Sequence, residues 1–374
     1  MEIKRLSVLV GVGLLIGGGA FAAIWYFGRA DEPRPDNPAD KPQPPALPAV
    51  SAALIDAPAP RAPAKLAFFD PSKPEVKELT RLKAGEGGEQ LEFTPDGNHL
   101  VSAGYGDSAV KVWDWRSGEQ IARRAHRHRI NDMAIAPQGD GVWTVDAYQH
   151  LYFWTFDGKV LGQTSEIGKE IGSNPYVAVS PNGVLIATTS FDKKLTLWNA
   201  KSRSQLGDIT SPYPLRRAAF SPDGKRLIVA TNTNQLMEYT LATGHGRWLH
   251  ILPVKPDIDC TSVTFSPDGK RFSTGHTQPW VTVWDGVGMN YQRWLKFPEQ
   301  APTAVTYTRD SRWAAIAVNR NGIYLWDPDV HKETGAALNL KPGHDFVHDL
   351  AFSPDGRILA SVDDSGTIVL WSSP

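Results

Sequence analysis

Residues 263–285 read VTFSPDGKRFSTGHTQPWVTVWD, and this stretch decides the fold. Val263 to Ser266 alternate on the two-residue period of a strand. The Ser-Pro-Asp-Gly step at 266–269 is built for a tight turn: Pro267 presets φ, Asp268 can bond its own backbone and Gly269 accepts positive φ. A second strand follows, and a third ends at Trp284. The phrase occurs seven times. Its turns read TPDG (94–97), APQG (136–139), SPNG (180–183), SPDG (221–224), SPDG (266–269), TRDS (308–311) and SPDG (353–356). Its third strands end at Trp113, Trp154, Trp198, Tyr239, Trp284, Trp326 and Trp371. Both anchors advance by 41 to 45 residues each time.

A period near 40–45 residues with four short strands per unit marks an all-β, seven-bladed β-propeller. No fourth strand follows Trp371, but Val76 to Leu82 precede the first unit and can supply one. The expectation is that this segment closes the ring, since closure removes exposed strand edges. Deleting 76–83 should then destabilise the whole ring, and deleting 31–63 should not.

These units resemble WD40 repeats. The signature dipeptide stands as Trp113-Asp114, Trp284-Asp285 and Trp326-Asp327, and the opening Gly-His as Gly343-His344. The resemblance covers roughly residues 76–374. It implies a buried network of His, Ser/Thr, Asp and Trp in each blade. Asp107 and Asp192, each six residues before its Trp, match the network Asp, and His344 matches the His. The copies are degenerate: Asn199 follows Trp198, Ser372 follows Trp371 and Tyr239 replaces Trp. A partial network specifies a blade less strongly, so blades 2, 4 and 6 are expected to be the softer ones.

The front of the chain differs in kind. Residues 1–5 form a short basic tail. Residues 6–28 carry no charge; as a helix they reach about 34 Å, enough for a bilayer core of about 30 Å. Ala20-Phe21-Ala22 resembles a cleavage site, but the apolar run continues to Phe27, so an uncleaved signal anchor is the reading adopted. Gly13 and Gly17 have the spacing of a helix-pairing motif, although a Gly-rich run produces it by chance. Residues 29–75 hold twelve prolines between Pro33 and Pro74 and read as a disordered stalk. Leu66 to Phe69 is the stalk's apolar patch and the expected docking point. The basic start, apolar helix and Pro-rich stalk look like a bacterial exported domain, with the propeller on the extracytoplasmic side. The single cysteine, Cys260, excludes an intrachain disulfide.

Chemistry-bearing motifs are scarce. The formal net charge of −1 gives no global attraction for nucleic acid. No phosphate-binding, HExxH, CxxC or GxSxG motif is present. His126-x-His128, with His150 across the blade, could chelate a metal, but four arginines between 123 and 129 oppose a cation. The reading is no metal and no cofactor. Repeated aromatics in turns need a reason. Tyr105, Tyr148, Phe191, Tyr213, Trp280 and Phe346 fall on one face, with Arg124, Arg127 and Arg129 at its rim. Large aromatics at loop tips are the usual anchors of protein interfaces; the bland reading folds each ring over its own blade. First-strand residues are mostly Ala, Val, Thr and Phe, which suggests a small or apolar channel lining. The function expected is a membrane-tethered, noncatalytic protein-interaction platform. An exported enzyme with a channel site and a ligand-sensing propeller are the alternatives.

Overall fold

The computed structural model describes residues 43–59, 76–85, 87, 89–104, 106–156, 161–168, 172–233, 235–249, 259–297, 300–320, 322–328, 336–340 and 346–372. The uncharged run 6–28 expected to span a membrane, Leu66 to Phe69, Tyr105 and His344 lie outside them. Among the described residues no helix is long and apolar enough to cross a membrane.

Seven four-stranded antiparallel sheets form. In six blades the strands follow chain order. Blade 2, for example, runs Ile130–Ile135, Gly141–Asp146, Leu151–Phe156 and Leu161–Gly168. The seventh takes Val347–Phe352, Ile358–Asp363 and Thr367–Ser372, and its outer strand is Lys77–Lys83 from the front of the domain. That strand pairs antiparallel with Thr367–Ser372, with Lys83 opposite Thr367 and Lys77 opposite Ser372. Closure is therefore as the sequence suggested.

The first strands lie innermost, each against the first strands of both neighbouring blades, around a complete circle. Their inward edges have no sheet partner, so their N–H groups need other acceptors. Side chains of the preceding blade provide them. Leu91 N–H donates to Asp349 Oδ2 at 3.0 Å, Met133 to Gln90 Oε1 at 2.8 Å, Ile135 to Glu92 Oε2 at 2.8 Å and Val177 to Asp132 Oδ2 at 2.9 Å. The packed cores sit between blades, where the second and third strands of one sheet meet the next.

The repeated turns form a second ring on one face. Within the turn, the leading Ser or Thr hydroxyl donates to the Asp or Asn two residues on, as Ser266 does to Asp268 at 2.7 Å. The last position takes positive φ; six turns have Gly there, and the seventh has Ser311 at 61°. Ser311 Oγ accepts the Asp268 N–H of the adjacent turn at 3.0 Å. Turn touches turn elsewhere too. Pro354 packs on Gly97, Pro95 on Gly139 and Pro222 on Gly269. Gln138 donates to Asn182 O at 2.7 Å, and Arg309 to Pro354 O at 2.8 Å.

Between blades 3 and 4 that contact is replaced by the segment 43–59. Composition reads this segment as part of the disordered stalk; the structure shows it packed on the domain. Leu47, Val50 and Ile55 are buried in the core shared by blades 3 and 4. Leu47 N–H donates to Gly244 O at 2.9 Å and Val50 N–H to Leu241 O at 2.8 Å. A single helical turn, Ala52–Ile55, presents its last carbonyls to the Asn182 amide, at 2.8 Å from Leu54 O and 3.1 Å from Ile55 O. Three apolar side chains spaced among prolines suffice to dock it. Burying each contributes about 1.5–3 kcal/mol, and the prolines lower the entropy lost.

This corrects the expectation that residues 31–63 can be removed without cost. Leu47→Ala with Ile55→Ala is expected to lower the melting temperature by several degrees, since a buried Leu or Ile cut to Ala costs about 2–5 kcal/mol. Gly207→Ala should do the same, because a Cβ there would lie 2.6 Å from Pro48 Cγ. Combining all three should add little once the strap is detached. Calorimetry that finds Gly207→Ala additive with the pair would contradict this docking. Deleting 76–83 is expected to abolish a single cooperative transition.

Candidate functional site

On the face opposite the Ser-Pro-Asp-Gly turns, one hydrogen bond recurs. The turn between second and third strands donates a backbone N–H to the loop that opens the same blade. The pairs are Ala147 to Arg129, Phe191 to Ser173, Asn232 to Pro214, Thr277 to Asp259, Asn319 to Ala301 and Asp364 to Phe346, at 2.8 to 3.0 Å. This ladder fixes the two sets of loops beside each other in six blades.

The sequence-selected aromatics lie on this face, with unequal exposure. Tyr148 is 65% exposed. Phe191, Tyr213, Trp280 and Phe346 are half-buried. Each has a backing group. Arg216 stands 5.0 Å from the Phe191 centroid, Trp248 5.6 Å from Tyr213, Trp294 6.0 Å from Trp280 and His348 4.6 Å from Phe346. Arg127 and Arg129 are exposed on the loop into blade 2, and Arg124 is exposed on the outer strand beside it. Trp294, 43% exposed on the outer strand of blade 5, extends the Trp280 patch. The sequence reading missed it because it sits inside a strand rather than a turn.

The blade networks differ from the sequence assignment. Trp indoles donate to second-strand hydroxyls in blades 1, 2 and 3: Trp113 to Ser102 at 3.1 Å, Trp154 to Thr144 at 2.9 Å and Trp198 to Thr188 at 3.0 Å. In blade 5 Trp284 donates to Thr282 at 3.0 Å, and in blade 7 Trp371 to Ser361 at 3.4 Å. The acidic member stands two residues beyond that hydroxyl, on the same strand face, as Asp146 and Asp363 do. Asp107 and Asp192 lie in the following turns instead. Asp107 pairs with the buried Lys111 at 3.1 Å and with Arg123 at 3.3 Å; Asp192 accepts from Ser173. Blade 2, expected to be soft, holds the fullest network: His126 Nε2 lies 3.3 Å from Thr144 Oγ1 and His126 Nδ1 3.8 Å from Asp146 Oδ2. Among the described residues, blades 4 and 6 show no such network. Tyr239 donates to Met237 sulfur at 3.5 Å, and Trp326 Nε1 is buried with no acceptor among the described residues.

Charge also converges at the channel, contrary to the expected small or apolar lining. Arg217 on the first strand of blade 4 donates to Asp132 on the first strand of blade 2 at 2.8 Å. These blades are not neighbours, so the bond crosses the channel. Burial pushes the Glu92 carboxyl up to about 8, against the Ile135 hydrogen bond, and the charges of Asp349 and Asp132 add to it. Burial likewise lifts Asp349 to about 6. Each of these carboxylates accepts a backbone N–H across a blade seam, which accounts for its position without chemistry.

The family "WD domain, G-beta repeat" matches residues 89–114, 175–199 and 337–372. The repeat match is to WD40. Blades 1 and 3 give two of the matched stretches, and the third runs to the end of blade 7. The chain is 26% identical to eukaryotic translation initiation factor 3 subunit I of Emericella nidulans, over 67% of this chain and 64% of that protein. It is 22% identical to nuclear distribution protein PAC1 of Arthroderma benhamiae, over 75% and 58% respectively. It is 25% identical to apoptotic protease-activating factor 1 of Rattus norvegicus, over 52% of this chain and 16% of that protein. The chain thus spans less than two thirds of the length of each. All three are eukaryotic and lend no support to the bacterial type that the front of the chain suggests.

Buried titratable groups set opposing pH limits. Burial holds the His276 imidazole down at about 4, so the folded state binds fewer protons than the unfolded one below about pH 6.5. Stability falls there as pH drops toward 4. Glu92, raised to about 8, acts the other way: the folded state holds a proton that the unfolded state releases, so stability falls as pH rises toward 8. Between about pH 4.5 and 6.5 the two contributions offset each other, and from about pH 6.5 to 8 the Glu92 contribution alone lowers stability. Glu92→Gln is expected to raise the melting temperature at pH 9 and leave it nearly unchanged at pH 5. His276→Gln should lessen the acid loss without abolishing it, because burial also holds His126 down at about 4, and should leave the alkaline side unchanged. Thermal scans from pH 4 to 9 in which neither variant alters its own limb would refute the assignment.

Proposed function

We propose that the chain is a noncatalytic protein-interaction platform, a WD40-type scaffold whose partner binds the face bearing Tyr148, Phe191, Tyr213, Trp280 and Phe346. The observation that carries this reading is the asymmetry between faces. The strap 43–59 covers the turn face at blades 3 and 4, whereas the opposite face presents aromatic rings held by arginine, imidazole or indole neighbours. Rings fixed in place lose little freedom on binding and make effective anchors. Arg127 and Arg129 at the rim would steer an acidic partner. One relative is by name a subunit, and so works within an assembly. The seam role of Glu92, Asp132 and Asp349 supports a noncatalytic reading of the channel. The tether is part of the proposal: residues 6–28 anchor the chain in a membrane on the strength of the uncharged run, and the short basic tail with Lys4 and Arg5 favours the propeller outside.

Crosslinking in native membranes tests the site. Tyr148→Ala, Phe191→Ala and Trp280→Ala together are expected to abolish recovery of crosslinked protein, with the melting temperature within about 2 °C of the parent. Arg116→Ala, on the opposite face, should leave recovery intact. Loss in the Arg116 variant, or none in the triple variant, places the partner elsewhere. Extraction at alkaline pH tests the tether separately; a mature N-terminus at Ala23 would rule it out.

A further inference from the structure

We propose that blade 2 binds one divalent transition-metal ion of the zinc class through His128, Asp146 and His150. One ligating atom from each lies within 4.8 Å of the others. His150 Nδ1 stands 3.1 Å from Asp146 Oδ2, and the His128 ring stacks on that of His150 with centroids 6.0 Å apart and planes 19° apart. Two nitrogen donors and a carboxylate oxygen form a usual three-residue zinc set, leaving the fourth position to water or another donor.

The local chain path assembles these groups from two segments. The second and third strands of blade 2 are joined by a turn in which Gln149 takes φ of 71°, so that His150 returns beside Asp146. His128 comes from the loop that opens the blade, and the Ala147 N–H to Arg129 O bond of 2.9 Å ties that loop to the turn. Asp146 Oδ1 accepts the N–H groups of Tyr148 and His150 at 2.9 and 3.0 Å, which orients the carboxylate. Its Oδ2 faces the imidazoles. Tyr148 stacks on His128 at 3.9 Å and fixes that ring from outside. Fixed supporting contacts of this kind are what tune a metal site.

Of the four neighbouring arginines, Arg123 is paired with Asp107 at 3.3 Å, and Arg124, Arg127 and Arg129 are exposed to solvent, which screens their charge. Bonds of about 2.0–2.1 Å need ligand atoms roughly 3.3 Å apart in a tetrahedron. The two imidazoles are half-buried rather than locked in core, so side-chain rotation can supply the contraction. This site shares Tyr148 with the proposed partner face, but its ligands are His128, Asp146 and His150, and metal binding to them needs no partner.

The test uses the full chain without a polyhistidine tag, stripped with EDTA and titrated with Co2+ and then Zn2+. The expected result is one Co2+ per chain with a visible d–d band, displaced by Zn2+, and a higher melting temperature with Zn2+. His128→Ala and His150→Ala should each weaken binding by at least about 10-fold, whereas Arg127→Ala should leave it within about 2-fold. His128→Ala lies in an exposed loop and should melt like the metal-free parent, so it stays informative if the His150 variant fails to fold. Absence of the band, substoichiometric uptake, or undiminished binding by the His128 variant would each overturn the site.

Discussion

A ring of sheets is stable only if it has no free end, and here the closing contact is the pairing of Lys77–Lys83 with Thr367–Ser372. Without it the last blade would have three strands and an open edge beside the buried core of blade 7. The two strands are separated by nearly the whole domain in sequence. Bringing them together therefore carries a loop-closure cost that only the completed ring repays. Every other seam depends on that circle being whole, because each blade buries its apolar faces against two neighbours.

The same geometry explains where the polar groups went. Seven inner strand edges cannot pair with one another as a sheet, and at the seams from blade 7 through blade 3 side-chain oxygens of one blade accept N–H groups of the next. Asp349, Gln90, Glu92 and Asp132 all do this. The channel becomes charged as a consequence of architecture. Arg217 then balances part of that charge by reaching across to Asp132. Carboxylates gathered in a cleft ordinarily suggest catalysis; here each has an identified structural acceptor role.

The two faces of the ring are thereby given different duties. One is consolidated by turn-to-turn contacts, completed at blades 3 and 4 by the strap. The other carries the loop ladder, the backed aromatics and, on blade 2, the His and Asp cluster. Features suited to binding gather on the face that the ring's own packing leaves open.

The period of the turns and tryptophans determined the blade count, the strand order and even the source of the closing strand, because each is written locally and repeated seven times. That Tyr148, Phe191, Tyr213, Trp280 and Phe346 share one face was legible too, since the turns and opening loops recur in each repeat. What only the tertiary structure decided involves residues far apart in sequence or not repeated. Residues 43–59 look like linker by composition, yet three apolar side chains meet a junction between blades that no local pattern reveals. Asp146 rather than Asp107 or Asp192 joins the blade network, because strand alternation, and not distance from the Trp, sets which side chain shares its face. Alternating Ser/Thr-x-Asp at the end of a second strand was the available signal. The Arg217–Asp132 bond had none, since its register across the channel exists only once the ring has closed.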